Sequence, residues 1–211
     1  MQRIAIVDTG LCNVDSMWRA VDDCGAKSVV TDDPTDLALV DKIVLPGVGA
    51  FADAMDALDD SGMAEAIVEN VRDHEVPVLG VCLGMQLLAT QGSEVRDTAG
   101  LGLIDAEVKR LVSNTANSTG RAQERIPHVG WNEVHPRATS PLLSGIPDAT
   151  DFYFVHSFHM QCVDERDVVA TTPYCGEFAS IVARGHVFGT QFHPEKSQAM
   201  GRRLLRNFVD L

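Results

Sequence analysis

An apolar run that ends on a cysteine between two glycines constrains this chain more than any other feature. The stretch Val76 to Val81 reads as a buried strand, and Gly80-Val81-Cys82-Leu83-Gly84 sets a nucleophile where that strand gives way to a helix. So tight a turn has no room for side chains beside the reactive residue, which is why glycine flanks it. An elbow of this kind needs a sheet before it and a helix after it, so the chain has to be an α/β protein. It predicts an exposed sulfur, a helix N-terminus that favours the thiolate, and a Leu83 amide placed to donate to an oxyanion.

The flanking sequence agrees. Arg3 to Asp8, Lys27 to Thr31 and Lys42 to Pro46 are further strands, and Val14, Met17, Trp18 and Val21 keep helical spacing up to a stop at Gly25. Another helix is predicted around Met63, Ile67 and Val71. Strands separated by helices imply parallel βαβ units. Beyond residue 105 the pattern changes to short β-type runs, EVKRL, FYFVHSF, DVVATT, ASIVAR and HVFGTQF, which predict antiparallel hairpins. A closing helix follows Ser197, its expected N-cap, with Met200, Leu204, Leu205 and Phe208 on one face. The expectation is one domain over residues 1–211: a mixed, mainly parallel sheet flanked by helices, with an added antiparallel region. The Ser- and Asn-rich segment around residues 113–124 is predicted to be a surface loop.

A chain of 211 residues with 45% hydrophobic and 22% charged residues is ordinary globular material. Its apolar runs are too short to span a membrane, and the start MQRIAIVD lacks a signal-peptide layout, so no membrane role and a cytoplasmic location are expected. Cys12, Cys24, Cys82, Cys162 and Cys175 include no C-x-x-C pair, which argues against both a disulfide framework and a metal site. The net charge of −13, with twenty Asp, ten Glu and four Lys, disfavours nucleic acid. It also fits adaptation to a salty cytoplasm, which a melting series in KCl measures.

A thiol nucleophile needs a base, and His193 is the best placed of seven histidines. It follows the strand HVFGTQF in Gln191-Phe192-His193-Pro194-Glu195-Lys196, which carries it to the sheet edge where Cys82 emerges. In an extended segment residues two apart point the same way, so Glu195 can accept the Nδ1 proton of His193. His156 and His159 form an H-x-x-H pair, but no third ligand stands at a zinc spacing and a strand would aim them at opposite faces. They read as structural or as supporting the site from behind, His74 and His186 as surface residues, and His135 as a loop residue. The glycine-rich segment Pro46-Gly47-Val48-Gly49-Ala50 can bring a second N–H donor to the oxyanion.

These features, the PG-x-G loop, the G-x-C-x-G elbow and the H-P-E segment in that order, resemble the class I (triad) glutamine amidotransferases. The longer stretches GVCLGMQ, RIPHVGWN, YFVHSF and FHPEKS are similar to the branch of that family that serves imidazole glycerol phosphate synthase in histidine biosynthesis. Met85 and Lys196 stand where the anthranilate synthase branch usually has His and Ser. The resemblance spans the chain and implies a glutaminase with Cys82, His193 and Glu195 as triad and Val48 and Leu83 at the oxyanion hole. It further implies that Gly49, Gln86 and Glu94 bind glutamine, with no metal or cofactor. Asn13, Trp131, Tyr153 and Lys196 are then expected to face a (β/α)8-barrel cyclase in a heterodimer. Thr9 and Cys12 depart from the Tyr and Gly common in the family. Competing expectations are another amidotransferase glutaminase, a cysteine peptidase or esterase on a similar elbow, and a non-catalytic scaffold.

Overall fold

The computed structural model describes residues 2–10, 14–113 and 124–211. The first half runs β1 (Arg3–Val7), α1 (Val14–Asp22), β2 (Lys27–Thr31), β3 (Lys42–Gly47), α2 (Phe51–Asp60), α3 (Met63–Asp73), β4 (Val78–Cys82) and α4 (Leu83–Leu87). Two short strands, β5 (Gln91–Gly92) and β6 (Thr98–Ala99), lead to β7 (Ala106–Arg110) and β8 (His128–Pro136). The rest is β9 (Thr150–His156), β10 (Phe158–Cys162), β11 (Val168–Thr172), β12 (Phe178–Arg184), β13 (Val187–Thr190) and α5 (Gln198–Val209).

Nine strands form one sheet in the order β2-β1-β3-β4-β13-β12-β11-β8-β9. Its first five strands are mutually parallel, and antiparallel pairing begins at β13 and β12. A second sheet has the order β10-β7-β5-β6. The central strands are buried on both faces: Ala5, Ile43 and Leu45 pack with α2 and α3, while Ile4, Ile6 and Val44 pack with α1 and α5. That double burial explains why β3 and β4 read as continuous apolar runs. Among the described residues no helix is long and apolar enough to cross a membrane.

Several local expectations need correction. FYFVHSF is two strands in two different sheets, broken at Ser157. His135 lies in β8, where it pairs with Thr171 of β11, so it is not a loop residue. His186 is half-buried, its Nε2 2.6 Å from the Val71 carbonyl at the C-terminal end of α3. Ser197 precedes α5 but makes no capping bond with its side chain. Its hydroxyl instead donates to the His193 carbonyl at 2.6 Å and accepts from the Tyr153 amide at 3.0 Å, so it ties the segment after β13 to β9. Asn13, Cys12 and residues 114–123 of the Ser- and Asn-rich segment lie outside the described residues.

Candidate active site

Cys82 ends β4 with φ 56° and ψ −109°, a backbone state that costs a side-chain-bearing residue about 1–3 kcal/mol. Packing on both sides holds it there. A Cβ on Gly84 would lie 1.7 Å from the Leu45 carbonyl oxygen, and one on Gly80 would lie 2.5 Å from the Gly84 oxygen. A Cβ on Gly47 would stand 2.9 Å from the Gly84 nitrogen, so that glycine serves close packing of β3 on the elbow as well as the loop beyond it. The expectation of an exposed sulfur is not met: Cys82 is 5% exposed and opens only on a cavity of about 270 Å³. Neighbouring β9 covers it, with the Val155 carbonyl 3.8 Å from Sγ.

His193 arrives by the strand next door. β13 runs parallel to β4 with Thr190 opposite Val81, and three residues later the His193 amide donates to the Tyr153 carbonyl at 2.9 Å. Glu195 does reach its ring, with Oε1 2.8 Å from Nδ1. The route differs from expectation: Pro194–Lys196 is a 3₁₀ turn, not an extended segment, because Pro194 fixes φ at the first helical position. Both side chains are buried. Burial disfavours a charged ring, but interaction with Cys82 and with the Glu195 carboxylate outweighs it and raises the His193 pKa to about 9. Nε2 of His193 is buried without a hydrogen-bond partner among the described residues, and catalytic hydrogen bonds are often long before substrate binds.

The cavity brings together Cys82, Leu83, Val48, Gly49, Gln86 and Glu94 from three separate segments. Leu83 opens α4 directly after the nucleophile, and Val48 follows Gly47, which is paired with Cys82 across β3 and β4. Glu94 also accepts from the Phe51 amide at 2.7 Å and so caps α2, whose preceding residue Ala50 offers no side-chain cap. Gln86 is buried and donates to the Phe158 carbonyl at 2.9 Å and to Gln191 Oε1 at 3.1 Å. Among the described residues no group of three or more His, Cys, Asp or Glu side chains is arranged to hold a metal ion.

The sequence model of Glutamine amidotransferase class-I matches residues 5–211. The chain belongs to that family. Its relatives include subunit HisH of imidazole glycerol phosphate synthase from Moorella thermoacetica, 45% identical over 100% of this chain and 96% of the relative. Subunit HisH 2 from Nitrobacter winogradskyi is 44% identical over 99% and 98%. A crystal structure titled glutamine amidotransferase matches with a TM-score of 0.73 at 18% identity, covering 98% of this chain and 97% of its own. A putative GMP synthase component from Thermoplasma acidophilum matches with a TM-score of 0.71 at 22% identity, covering 100% and 93%. These two share the class-I amidotransferase fold with this chain.

For this class-I amidotransferase the remaining expected residues gather beside the cavity rather than in it. Trp131 of β8 lies opposite Tyr153 of β9, with ring centroids 6.0 Å apart, and Trp131 stays 47% exposed. Lys196, on the turn held by Tyr153, is exposed. Val129 and Val155, a further cross-strand pair, extend the same outward apolar face. The sequence does not single out Phe158 or Gln191 for the site, and in it His156 reads as structural or as supporting the site. His156 and Phe158 line the cavity, and Gln191 places its side-chain nitrogen 3.9 Å from Cys82 Sγ. The only signal for Gln191 was its place two residues before His193, which reads equally well as a strand tail.

Proposed function

We propose that this chain is the glutaminase of an imidazole glycerol phosphate synthase, acting as one domain and supplying ammonia for histidine biosynthesis to a (β/α)8-barrel cyclase. The observation that carries the reading is that Cys82, on a strained elbow, opens on a small cavity, while His193, oriented by Glu195, interacts with it from the segment after the adjacent strand β13.

The Cys82 thiolate attacks the side-chain amide carbon of glutamine. Backbone N–H groups of Leu83 and Val48 receive the oxyanion, and His193 protonates the departing ammonia. A glutamyl thioester remains. Water that gives its proton to His193 then releases glutamate. Glu195 holds Nδ1 of His193, keeping Nε2 for the proton transfers and stabilising the imidazolium. Gly49, Gln86 and Glu94 hold the amino-acid end of glutamine. Free ammonia becomes ammonium in bulk water, so a docked synthase is the chemically sensible recipient. The outward face of Trp131, Tyr153, Val129 and Val155, with Lys196 exposed beside Glu195, suits that partner, and the proposal gives Asn13 a contact with the same partner.

Glutamate release by the purified chain, measured with and without a barrel cyclase and its phosphorylated substrate, tests the proposal. Release should rise sharply when the partner is present. No glutamate under any combination contradicts it.

A further inference from the structure

Two chains of hydrogen bonds beside Cys82 take their direction from one atom that can only accept, the Phe158 carbonyl oxygen. His156 Nδ1 lies 2.8 Å from it, so that nitrogen carries the proton. Burial lowers the His156 pKa to about 3 and that of His128 to about 4, and both rings are neutral at pH 7. Nε2 of His156 therefore accepts from Nδ1 of His128 at 3.1 Å, and Nε2 of His128 accepts from the Asn132 side-chain amide at 3.3 Å.

The same carbonyl orients the other branch. Gln86 Nε2 donates to Phe158 O and to Gln191 Oε1, which leaves Gln191 with its oxygen turned to Gln86 and its amide N–H turned to Cys82 Sγ. Gln191 is wholly buried and cannot exchange this arrangement with water. A flipped Gln191 amide would set two donors against each other at Gln86 and an oxygen against the sulfur. The thiol proton has a separate acceptor in the Val155 carbonyl, so the Gln191 contact is the one that survives ionisation of the sulfur.

From this geometry we infer that Gln191 is a further catalytic residue, donating an N–H to the Cys82 thiolate, and that the Phe158 carbonyl, through Gln86, fixes its orientation. The inference deepens the proposed glutaminase reading and rests on Cys82 being its nucleophile. A donor on the sulfur stabilises the thiolate that attacks the substrate. Unlike the imidazole, it gives no proton away and so needs no reset between half-reactions. The titratable groups that face the sulfur are His193, backed by Glu195, together with His156 and Glu94 across the cavity. A change at Gln191 leaves all four in place.

The test is the pH dependence of Cys82 alkylation by iodoacetamide in the full chain, read at the Cys82 peptide by mass spectrometry, in wild type, Gln191→Met and Gln191→Glu. Met keeps the volume and removes the donor, so the alkylation midpoint should rise by about one pH unit. Glu presents a carboxylate to the sulfur and should raise it further. Glutamine turnover should fall mainly in kcat, with KM little changed. Should the variants fail to fold, the Gln191 side-chain amide resonance of wild type decides. It should shift in step with Cys82 titration and lose that step in Cys82→Ala. An alkylation midpoint unchanged in folded Gln191→Met, or an amide resonance indifferent to Cys82 titration, overturns the inference. Alkylation does not need glutamine, so a protein that shows the shift yet releases no glutamate would count against the glutaminase reading alone.

Discussion

Nδ1 of His193 lies 2.8 Å from Oε1 of Glu195, both buried, the first residue at the N-cap and the second in the middle of a single 3₁₀ turn. The carboxylate is one of the groups that raise the His193 pKa to about 9, so its removal should lower that value. Glu195→Gln keeps the shape and drops the charge. Its glutamine-dependent rate should fall on the order of 10²–10⁴-fold, less than the loss on removing Cys82. The alkaline limb of its pH–rate profile, a property of the coupled Cys82 and His193 pair, should move to lower pH. A profile superimposable on wild type would separate Glu195 from the chemistry.

The elbow offers a steric test. Because a Cβ on Gly84 would meet backbone, the Leu45 carbonyl at 1.7 Å, no rotamer change can relieve it. Gly84→Ala should cost about 3 kcal/mol or more and lower Tm on the order of 10 °C, with loss of glutaminase activity beyond the loss of folded protein. Calorimetry and an activity assay at a temperature where the variant is folded would show it. A variant as stable as wild type would mean that β3 and the elbow are less tightly joined than described.

Acid should weaken the protein through two rings that the chemistry does not protonate. The folded-state pKa values of His128 and His156 are depressed to about 4 and about 3, chiefly by burial. The unfolded chain takes up those protons below about pH 6.5, so stability is full above that pH and is lost as pH falls towards 4. Each ring contributes a slope of up to about 1.4 kcal/mol per pH unit. Urea melts across this window should show the slope, and His128→Gln should reduce it. An equal slope in the variant would place the acid sensitivity elsewhere.

Much of this was legible in the sequence, for physical reasons. β1, β3 and β4 are buried on both faces, so apolar runs announce them, and glycines forced by backbone contact mark the elbow. β8 was not legible because three of its inward residues are His128, Gly130 and Asn132, polar or small groups that make no apolar stripe with Val134, the histidine bonding Asn132 and His156. α2 escaped although Phe51, Ala54, Met55 and Leu58 keep helical spacing; only its N-terminal cap, Glu94 from 43 residues away, has no local signature. The 3₁₀ turn at Pro194 and the break at Ser157 are likewise tertiary choices. Asp41 and Lys42 illustrate the same limit. The first accepts from the Arg3 amide, and the second is a buried lysine in β3 that donates to the Val209 carbonyl at the end of α5.

The proposed docking face is testable without touching the cavity. Lys196→Glu reverses a charge on an exposed side chain, and Trp131→Ala removes a half-exposed aromatic. Each should weaken cyclase binding, Trp131→Ala by about 2 kcal/mol or more, with little change in Tm. Titration calorimetry against the cyclase measures both. Unaltered binding and unaltered ammonia coupling in both variants would move the interface elsewhere.

The most direct test of the central claim separates the two sources of ammonia. In the complex with the cyclase, Cys82→Ala removes the thioester route while taking away little volume beside an existing cavity, so the fold and docking should persist. Product formation should then be absent with glutamine and restored with ammonium salt at high pH. Glutamine-dependent product from pure Cys82→Ala complex would contradict the account.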